Sequence, residues 1–298
     1  YTYGIKHQKA DQYTSQAQGG VNGPMPYLYY DYDVEDVRRD ITCIPYEWGN
    51  LENGKSKQEL RGINKWCFGK LRYEWMKPER ALNLGANDDG INWQYMRLAD
   101  VYLMAAEAVN AIDGPQAAWQ YMKPVLDRAL PAAKVAALQA KYTASKDAFF
   151  EGVVEQRAFE LAGEMLRKAD LVRWGIIDTK MAEAKQKLTQ LANRQGAYAD
   201  LPSKLYYKTA DDGETILVYG LNHGDTDEAG AALSSEGYHS TKWFFDEKTN
   251  ANIITDDYIN GIYVATPSLN CLWPIWQTFI DKSNAMLNND GNYGQLSD

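Results

Sequence analysis

The sequence lacks the signatures of an enzyme active site, a membrane span and a nucleic-acid-binding surface. It contains no GxSxG or GxGxxG motif, so nothing predicts a nucleophile elbow or a dinucleotide fingerprint. It has no run of 18 or more apolar residues, as a membrane-spanning helix needs. Binding to a phosphate backbone needs clustered Lys and Arg, whereas the net charge is −9. We therefore expect no nucleic-acid partner and no catalytic residues.

Signals for metals and disulfides are equally scarce. The three histidines lie far apart and match no zinc-ligand spacing: His7, His223 and His239. Two Asn- and Asp-rich fragments, 85–90 and 286–291, lack the acidic first and twelfth ligands that an EF-hand loop needs. The three cysteines allow at most one disulfide and form no CxxC pair: Cys43, Cys67 and Cys271. We expect neither a metal nor a cofactor.

Tyrosine and tryptophan, by contrast, are abundant. The chain has 21 Tyr and 9 Trp but only 7 Phe, so the excess lies in rings with a polar group, which suit surfaces that are partly wet. The C–H face of a pyranose sugar packs on such a ring while its hydroxyls stay hydrogen-bonded. Packing inside loop cores is the competing interpretation for each ring. The candidate ligand contacts lie in the loop-rich segments: Tyr27, Tyr29, Tyr30, Trp48, Tyr219, Tyr238 and Trp243.

The chain divides into four segments of different pattern. Residues 1–90 are rich in Gly, Asn, Asp and Tyr with little periodicity, which is typical of a loop-rich region. Residues 91–195 show helical repeats, and residues 196–265 form a second loop excursion with a hairpin near Thr215–Tyr219. Residues 266–298 form a C-terminal turn and a short helix near Ile275–Leu287. The predicted fold class is mainly α, with TPR-type helical hairpins and two large irregular loop regions.

The helical segment contains five predicted helices. The first begins near Trp93, and apolar residues at helical spacing predict one buried stripe: Leu98, Val101, Tyr102, Ala105, Ala108, Val109 and Ile112. Asp113-Gly114-Pro115 ends this helix and starts the next, which predicts a tight antiparallel pair. The other helices are expected over Pro115–Ala129, Ser145–Gly163, Glu164–Ile177 and Asp178–Asn193.

The densest charge cluster runs from Glu155 to Arg173. Opposite charges lie three or four residues apart, which favours ion pairs along each helix: Arg157–Glu160, Glu164–Lys168 and Asp170–Arg173. A glycosidase would instead use Glu160 and Glu164 as an acid and base pair. Carboxylates at i and i+4 point the same way, however, and cationic neighbours would lower their pKa values, the wrong direction for a general acid. We therefore favour a structural role for this cluster.

Three separated blocks share their order and spacing with a known family. The first is Arg97–Ala108 (RLADVYLMAAEA), the second spans Glu155–Trp174, and the third starts at Leu272–Ile275 (LWPI) and continues to Tyr293. These blocks resemble the C-terminal part of the SusD/RagB family, outer-membrane lipoproteins that capture nutrients, usually glycans, for import. The third block departs from the family pattern, because Trp276 replaces one proline and two later prolines are missing.

The resemblance implies a SusD-like fold and a non-enzymatic protein that binds glycans at the cell surface. It also implies delivery of oligosaccharide to a SusC-like, TonB-dependent outer-membrane transporter. The first residue is Tyr1, so the family's first helical repeats and its lipid-anchored cysteine would precede this chain. We expect residues 1–298 to form the C-terminal part of such a protein, held at the outer membrane through that anchor.

Two other functions stay open from the residues alone. A helical glycoside hydrolase or lyase would release reducing ends from a polysaccharide. A TPR-like scaffold for another protein would expose a large apolar patch on its repeats.

Overall fold

The structure is a computed structural model that describes residues 3–52, 55–78, 82, 93–244, 251–271, 275–283 and 286. Helices make up most of the regular structure in these residues, so the mainly α fold class is confirmed. Within them, each helix is too short or too polar to cross a bilayer. The fragment at 85–90, residues 272–274 and the end of the third block from 287 onward lie outside the described residues. The division into four segments stays a prediction.

The helices fall mainly between residues 98 and 192. Their bounds are α1 (Leu28–Asp31), α2 (Val37–Thr42), α3 (Leu98–Asp113), α4 (Pro115–Asp127), α5 (Ala132–Tyr142), α6 (Lys146–Glu160), α7 (Arg167–Arg173), α8 (Ile177–Ala192), α9 (Asp227–Ala232), α10 (Asp256–Asn260) and α11 (Gln277–Lys282). Single turns of 3-10 helix occur at Ile63–Lys65, Tyr73–Trp75, Gly196–Tyr198, Leu233–Glu236 and Pro267–Asn270.

The strands are short and lie on either side of the helical segment. Their bounds are β1 (Cys43–Ile44), β2 (Tyr46–Glu52), β3 (Lys55–Leu60), β4 (Cys67–Phe68), β5 (Lys204–Thr209), β6 (Ile216–Tyr219) and β7 (His239–Lys242). The pairs β1–β4 and β2–β3 are antiparallel, and β5 pairs with both β6 and β7. The hairpin predicted near Thr215–Tyr219 is confirmed, because Thr209 lies opposite Ile216.

The corner between α3 and α4 is the single residue Gly114. It has φ of +92°, which favours glycine, and Pro115 occupies the first turn of α4. The two helices pack against each other along their length. The predicted helix stop and the predicted helix pair are both confirmed.

The sequence patterns did not predict α5. This helix has 11 residues and is rich in alanine, with Val135 and Tyr142 as its buried side chains. An apolar stripe this sparse gives little periodic signal, although alanine has the highest helix propensity. Helix α5 packs on α4 and α6, beside the direct contact of α3 with α6.

The predicted buried stripe of α3 was wrong for some of its members, although Tyr102 and Val109 do pack against the helical core. Leu98, Val101 and Ile112 are 67%, 42% and 76% exposed, whereas Leu103 and Ala106 are fully buried. The helix also starts at Leu98 and not near Trp93, since the backbone of the preceding Arg97 is extended. Apolar residues lie on two faces of α3, and periodicity alone does not tell which of them the other helices cover.

Helix α6 is shorter than predicted at both ends, whereas α8 has the predicted 16 residues and starts one residue earlier. Ser145 caps α6, its Oγ accepting a hydrogen bond from the backbone N–H of Ala148 at 3.0 Å. The predicted helix Glu164–Ile177 is shorter in the structure, where α7 spans Arg167–Arg173. Gly163 and Met165 both have positive φ, which is incompatible with a helix and separates α6 from α7. Gly175, also at positive φ, separates α7 from α8.

Three hydrophobic clusters hold the described parts of these elements, and the two larger ones contain most of the buried side chains. The hairpin core lies between α3, α4, α5 and α6 and includes Leu103, Met122, Leu126, Phe149 and Val153. The loop core packs α8 against the loop-rich segments and includes Tyr29, Trp66, Leu188, Leu191 and Trp243. The irregular segments are therefore anchored by their own aromatic side chains.

Two leucines on α3 test which face is buried. Leu103→Ala should lower the free energy of unfolding by about 2–5 kcal/mol, because it leaves a cavity in the hairpin core. Leu98→Ala, the matched control on the exposed face, should change it by less than about 0.5 kcal/mol. Urea denaturation measures both values, and equal losses would contradict the packing described.

Candidate functional site

Glu160, at the end of α6, is the centre of a buried ion-pair network. Its side chain is 2% exposed and accepts hydrogen bonds from Arg97 Nη1 at 2.6 Å, from Arg38 Nη1 at 3.2 Å and from Arg128 Nη2. Arg38 lies on α2, Arg97 precedes α3 and Arg128 follows α4. One carboxylate thus joins four parts of the chain.

Glu164 extends the network beyond α6. Arg97 donates to it from Nε at 2.7 Å and from Nη2 at 2.8 Å, a bidentate geometry. Lys70 Nζ donates to Glu164 at 2.7 Å and to the backbone carbonyl of Glu160 at 2.6 Å. The loop that carries Lys70 is therefore tied to the same point as the three arginines.

A second buried cluster lies one turn earlier on α6. Arg157 is 4% exposed and donates to Asp100 of α3 and to Asp170 of α7, both at 2.7 Å. Asp170 also accepts from Arg173 at 3.0 Å. This cluster fixes α7 against α3 and α6.

Two of the three ion pairs predicted along the helices were therefore wrong. Asp170–Arg173 is confirmed, but Glu160 and Arg157 pair with different helices, and Glu164 pairs with Lys70 and Arg97 instead of Lys168. Their side chains face the interior, where groups from distant segments lie closer than the neighbours three or four residues away. The structural role of the cluster is supported.

The charges around Glu160 and Glu164 disfavour acid catalysis. Burial alone would raise the pKa of Glu160, but Arg97 and Arg128 outweigh it and hold that pKa below the ordinary 4.5. For Glu164, Arg97 and Lys70 likewise outweigh burial and lower the pKa. A general acid at neutral pH needs a raised pKa, so this pair does not fit a glycosidase acid.

The network forms the floor of a first cavity of about 410 Å³, the network cavity. The rings of Tyr3, Phe68 and Trp93 form one wall, with Tyr3 5.1 Å from Trp93 between centroids. Val37 and Ile41 line its rim and are 61% and 40% exposed. The charged side chains of its floor form ion pairs with one another, and the exposed side chains of its rim are apolar.

A second cavity of about 580 Å³ lies on the other side of α6. We call it the Tyr27 cavity; its walls are the segment Gly23–Asp31, α6 and α8. Small residues such as Gly152, Ala158 and Ala184 line it and leave the space open. A side chain at 152 would collide with the ring of Tyr142, so glycine is required there.

The Tyr27 cavity combines an aromatic ring with polar groups. Lys187 Nζ lies 5.3 Å from the ring centroid of Tyr27 and donates to Asp31 at 2.6 and 2.8 Å. Burial and the nearby Asp31 raise the pKa of Tyr27 to about 12, so its phenol stays protonated at neutral pH. Arg167 also lines this cavity.

Four of the seven predicted contact rings lie together, but mostly inside the loop core. Tyr29 and Trp243 are 4% and 3% exposed, and both pack on Trp66, with ring centroids 5.3 and 5.8 Å away. Tyr30 packs against this core and meets Tyr29 edge-on at 5.3 Å. Tyr27 packs at its edge and is the one of the four that lines the Tyr27 cavity. For Tyr29 and Trp243 the competing interpretation, packing, agrees with their burial.

The other three predicted rings lie elsewhere. Trp48 is 3% exposed, packs on Tyr13 at 4.6 Å and donates from Nε1 to Glu74 at 2.7 Å. Tyr219 lies on β6, where its hydroxyl accepts from the backbone N–H of Thr226 at 3.0 Å. Tyr238 precedes β7 and lies under Lys208, whose Nζ is 4.8 Å from the ring centroid. The seven rings therefore do not form a single surface.

Sequence reasoning missed the polar groups of the Tyr27 cavity. Asp31 and Lys187 are 156 positions apart, and no local pattern joins them. Arg167 was assigned to the charge cluster because of its position between Glu155 and Arg173. Among the described residues, no group of three or more His, Cys, Asp and Glu side chains could hold a metal ion.

Comparison with known proteins identifies the family to which this chain is similar. The profile of the SusD family matches residues 29–292, which include Glu160 and its three arginine partners. The chain belongs to the SusD family. The resemblance seen in the sequence blocks is thereby confirmed.

Two relatives show how much of a family member this chain spans. SusD-like protein P25 from Formosa agariphila is 44% identical over 84 residues, which cover 27% of this chain and 15% of that protein. A crystal structure of a SusD homologue from Bacteroides thetaiotaomicron is 17% identical, with a TM-score of 0.42, over 80% of this chain and 41% of the other. The aligned regions span less than half of either relative.

The network predicts a characteristic pH dependence. Because the pKa of Glu160 is lower in the folded chain, its stabilising contribution is complete above pH 4.5 and is lost as the pH falls through the folded-state pKa. Glu160→Gln should lower the free energy of unfolding by about 3–5 kcal/mol at pH 7, since it leaves arginines without their partner. The difference from the unaltered chain should shrink towards pH 3.

Asp127→Asn is the matched control, because Asp127 pairs with Lys123 while both side chains are about half exposed. It should change the free energy of unfolding by less than about 1 kcal/mol at any pH. Urea denaturation between pH 3 and pH 7 measures the free energy of unfolding of the unaltered chain and of the two variants. A Glu160→Gln loss that stays constant over this range would contradict the ion-pair role.

Proposed function

We propose that this chain is part of a non-enzymatic glycan-binding protein of the cell surface. The single observation that carries the proposal is the SusD family match over residues 29–292. In this proposal the protein captures oligosaccharide and delivers it to a SusC-like, TonB-dependent transporter in the outer membrane. A lipid anchor on a segment that precedes Tyr1 holds it there.

The Tyr27 cavity is the proposed place of glycan contact. Its volume of about 580 Å³ lies within the roughly 300–1,000 Å³ typical of small-molecule sites. The ring of Tyr27 offers a surface for the C–H face of a sugar, and the Asp31–Lys187 pair offers an acceptor and a donor for its hydroxyls. Delivery requires release, so a shallow contact of modest affinity suits the task.

Tyr219 and Tyr238 stay proposed contacts of a second, separate surface. Both are partly exposed and belong to the strands and turns around β5. Tyr29, Trp48 and Trp243 are buried, so they support the loops and offer no free ring face. The proposal for direct contact therefore rests first on Tyr27.

A hydrolase or lyase is the enzymatic alternative. Glu160 and Glu164 are its only carboxylates singled out from the sequence, and both share Arg97 as a hydrogen-bond donor. Their lowered pKa values do not suit an acid catalyst. In the proposed function, the protein releases no reducing ends from any polysaccharide that it binds.

A protein-interaction scaffold is favoured by one observation. Leu98, Val101 and Ile112 expose an apolar face on α3, as the scaffold interpretation predicts. Stacked helical repeats normally cover such a face with another hairpin, and an outermost repeat usually carries polar residues there. A pure scaffold would show no rise in melting temperature with any sugar, which separates it from a glycan binder.

Replacing Tyr27 tests the glycan site. Removing roughly 60 Å² of ring contact at about 25 cal/mol per Å² should weaken glycan binding by about 1.5 kcal/mol, or roughly tenfold. Isothermal titration calorimetry of the unaltered chain and of Tyr27→Ala against a panel of oligosaccharides measures this loss. A reducing-end assay on the same panel should show no turnover.

Tyr95→Ala is the control, because Tyr95 is 90% exposed and lines neither cavity. It should bind like the unaltered chain. Melting curves show whether Tyr27→Ala remains folded, and Tyr27→Phe tests the hydroxyl if it does not. If no oligosaccharide of the panel binds, or if one of them is hydrolysed, the proposed function is overturned.

A further inference from the structure

Arg167 differs from the other arginines around α6 because no carboxylate among the described residues forms an ion pair with it. It lines the Tyr27 cavity at the first residue of α7, and its Nη1 donates to the backbone carbonyl of Val154 at 2.8 Å. A guanidinium has five N–H donors and stays charged at any ordinary pH. Burial lowers the pKa of Arg167, which agrees with a cation that is desolvated without full compensation.

The carboxylates whose charges act on Arg167 are Asp170 and Glu183, and both already accept hydrogen bonds from other cations. Asp170 accepts from Arg157 and Arg173, and Glu183 accepts from Lys180 at 2.9 Å. Both carboxylates favour the charged form of Arg167, but burial outweighs them. The charge of Arg167 therefore points to a partner that comes from outside the protein.

The remaining charges of the cavity leave Arg167 as the exception. Lys187 pairs with Asp31, Lys180 pairs with Glu183, and Lys141 pairs with Glu155. Glu151 is the one lining carboxylate that has no such pair with another described residue, and it is exposed to solvent, which screens it. Among the lining residues, all of which the structure describes, Arg167 is thus the one cation free to bind an anion.

We propose that the Tyr27 cavity binds an anionic sugar, whose carboxylate or sulfate group is held by Arg167. The inference rests on the proposed glycan-binding function and narrows its ligand to acidic glycans. Guanidinium matches the geometry of planar carboxylates and of sulfate oxygens with paired N–H donors. Tyr27 then contacts the sugar ring, and Asp31 with Lys187 contacts its hydroxyls. The small residues of α6 and α8 leave room for the anionic group.

Oligosaccharides matched in length test the proposal. One arm is neutral, such as a xylo-oligosaccharide; one carries uronate carboxylates, such as an oligogalacturonate; and one carries sulfate esters, such as a carrageenan oligosaccharide. Calorimetry at about 20 mM and about 200 mM salt should show at least one anionic arm binding roughly tenfold or more tightly than the neutral arm at low salt. The advantage should fall at high salt, where charges are screened. Comparison of the two anionic arms tells carboxylate from sulfate.

Variants assign the preference to one side chain. Arg167→Met should remove the advantage of the anionic arm and keep the neutral affinity, whereas Arg167→Lys should keep part of it. Lys168→Met is the matched control, since it removes the neighbouring exposed cation and should keep the full advantage. Melting curves report folding, and if Arg167→Met does not fold, the comparison of ligand charge and salt on the unaltered chain decides.

The outcomes separate this inference from the proposed function. Binding of the neutral arm as tightly as both anionic arms overturns the acidic-glycan inference and leaves glycan binding standing. An unchanged anionic preference in folded Arg167→Met also overturns it. If none of the three oligosaccharides binds, the proposed function is contradicted, and the acidic-glycan inference is contradicted too.

Discussion

The carboxylate of Glu160 holds together segments that the backbone alone would leave independent. Arg38, Arg97 and Arg128 reach it from positions 122, 63 and 32 residues away. A buried carboxylate costs several kcal/mol in lost hydration, and its arginine partners offset that cost only in a tightly defined geometry. The relative positions of α2, α3, α4 and α6 are therefore specified together. This constraint also makes α6 a wall between two cavities, with Glu160 facing the network cavity and Ala158 facing the Tyr27 cavity.

Packing and hydrogen bonding inside the fold explain much of the excess of tyrosine and tryptophan without any ligand. Tyr32 donates to the carbonyl of Phe159 at 2.8 Å, Tyr206 donates to that of Asp227 at 2.9 Å, and Trp48 donates to Glu74. Loops without a regular hydrogen-bond ladder leave polar groups inside, and rings with a polar group fill space while satisfying them. Phenylalanine would fill the same space but could not donate these hydrogen bonds. Abundance of such rings therefore supports a loop core as well as it supports a sugar site.

The charged side chains divide by their surroundings into structural and available groups. In the network, each cation has a carboxylate or carbonyl within hydrogen-bond distance, and the pKa values of Glu160 and Glu164 fall because of it. In the Tyr27 cavity, which small side chains leave open, the acceptor that Arg167 has among the described residues is a backbone carbonyl. The same sequence block thus supplies both the structural ion pairs of the helices and a cation that faces an open volume. Whether a cation has a carboxylate partner, more than its charge, distinguishes a structural side chain from one that is available to a ligand.

The sequence by itself determined what depends on residues close along the chain. The stop at Asp113–Pro115 and the cap at Ser145 are set by backbone preferences of one to four residues, and the spaced blocks identified the SusD family. Only the tertiary structure decided which apolar face of α3 is covered, which arginines surround Glu160 and which rings are buried. The sparse stripe of α5 acquired its role only through its contacts with α4 and α6. Local preferences act through neighbouring atoms of the backbone, whereas burial and ion pairing depend on groups that folding brings together from distant positions, such as Asp31 and Lys187, 156 positions apart.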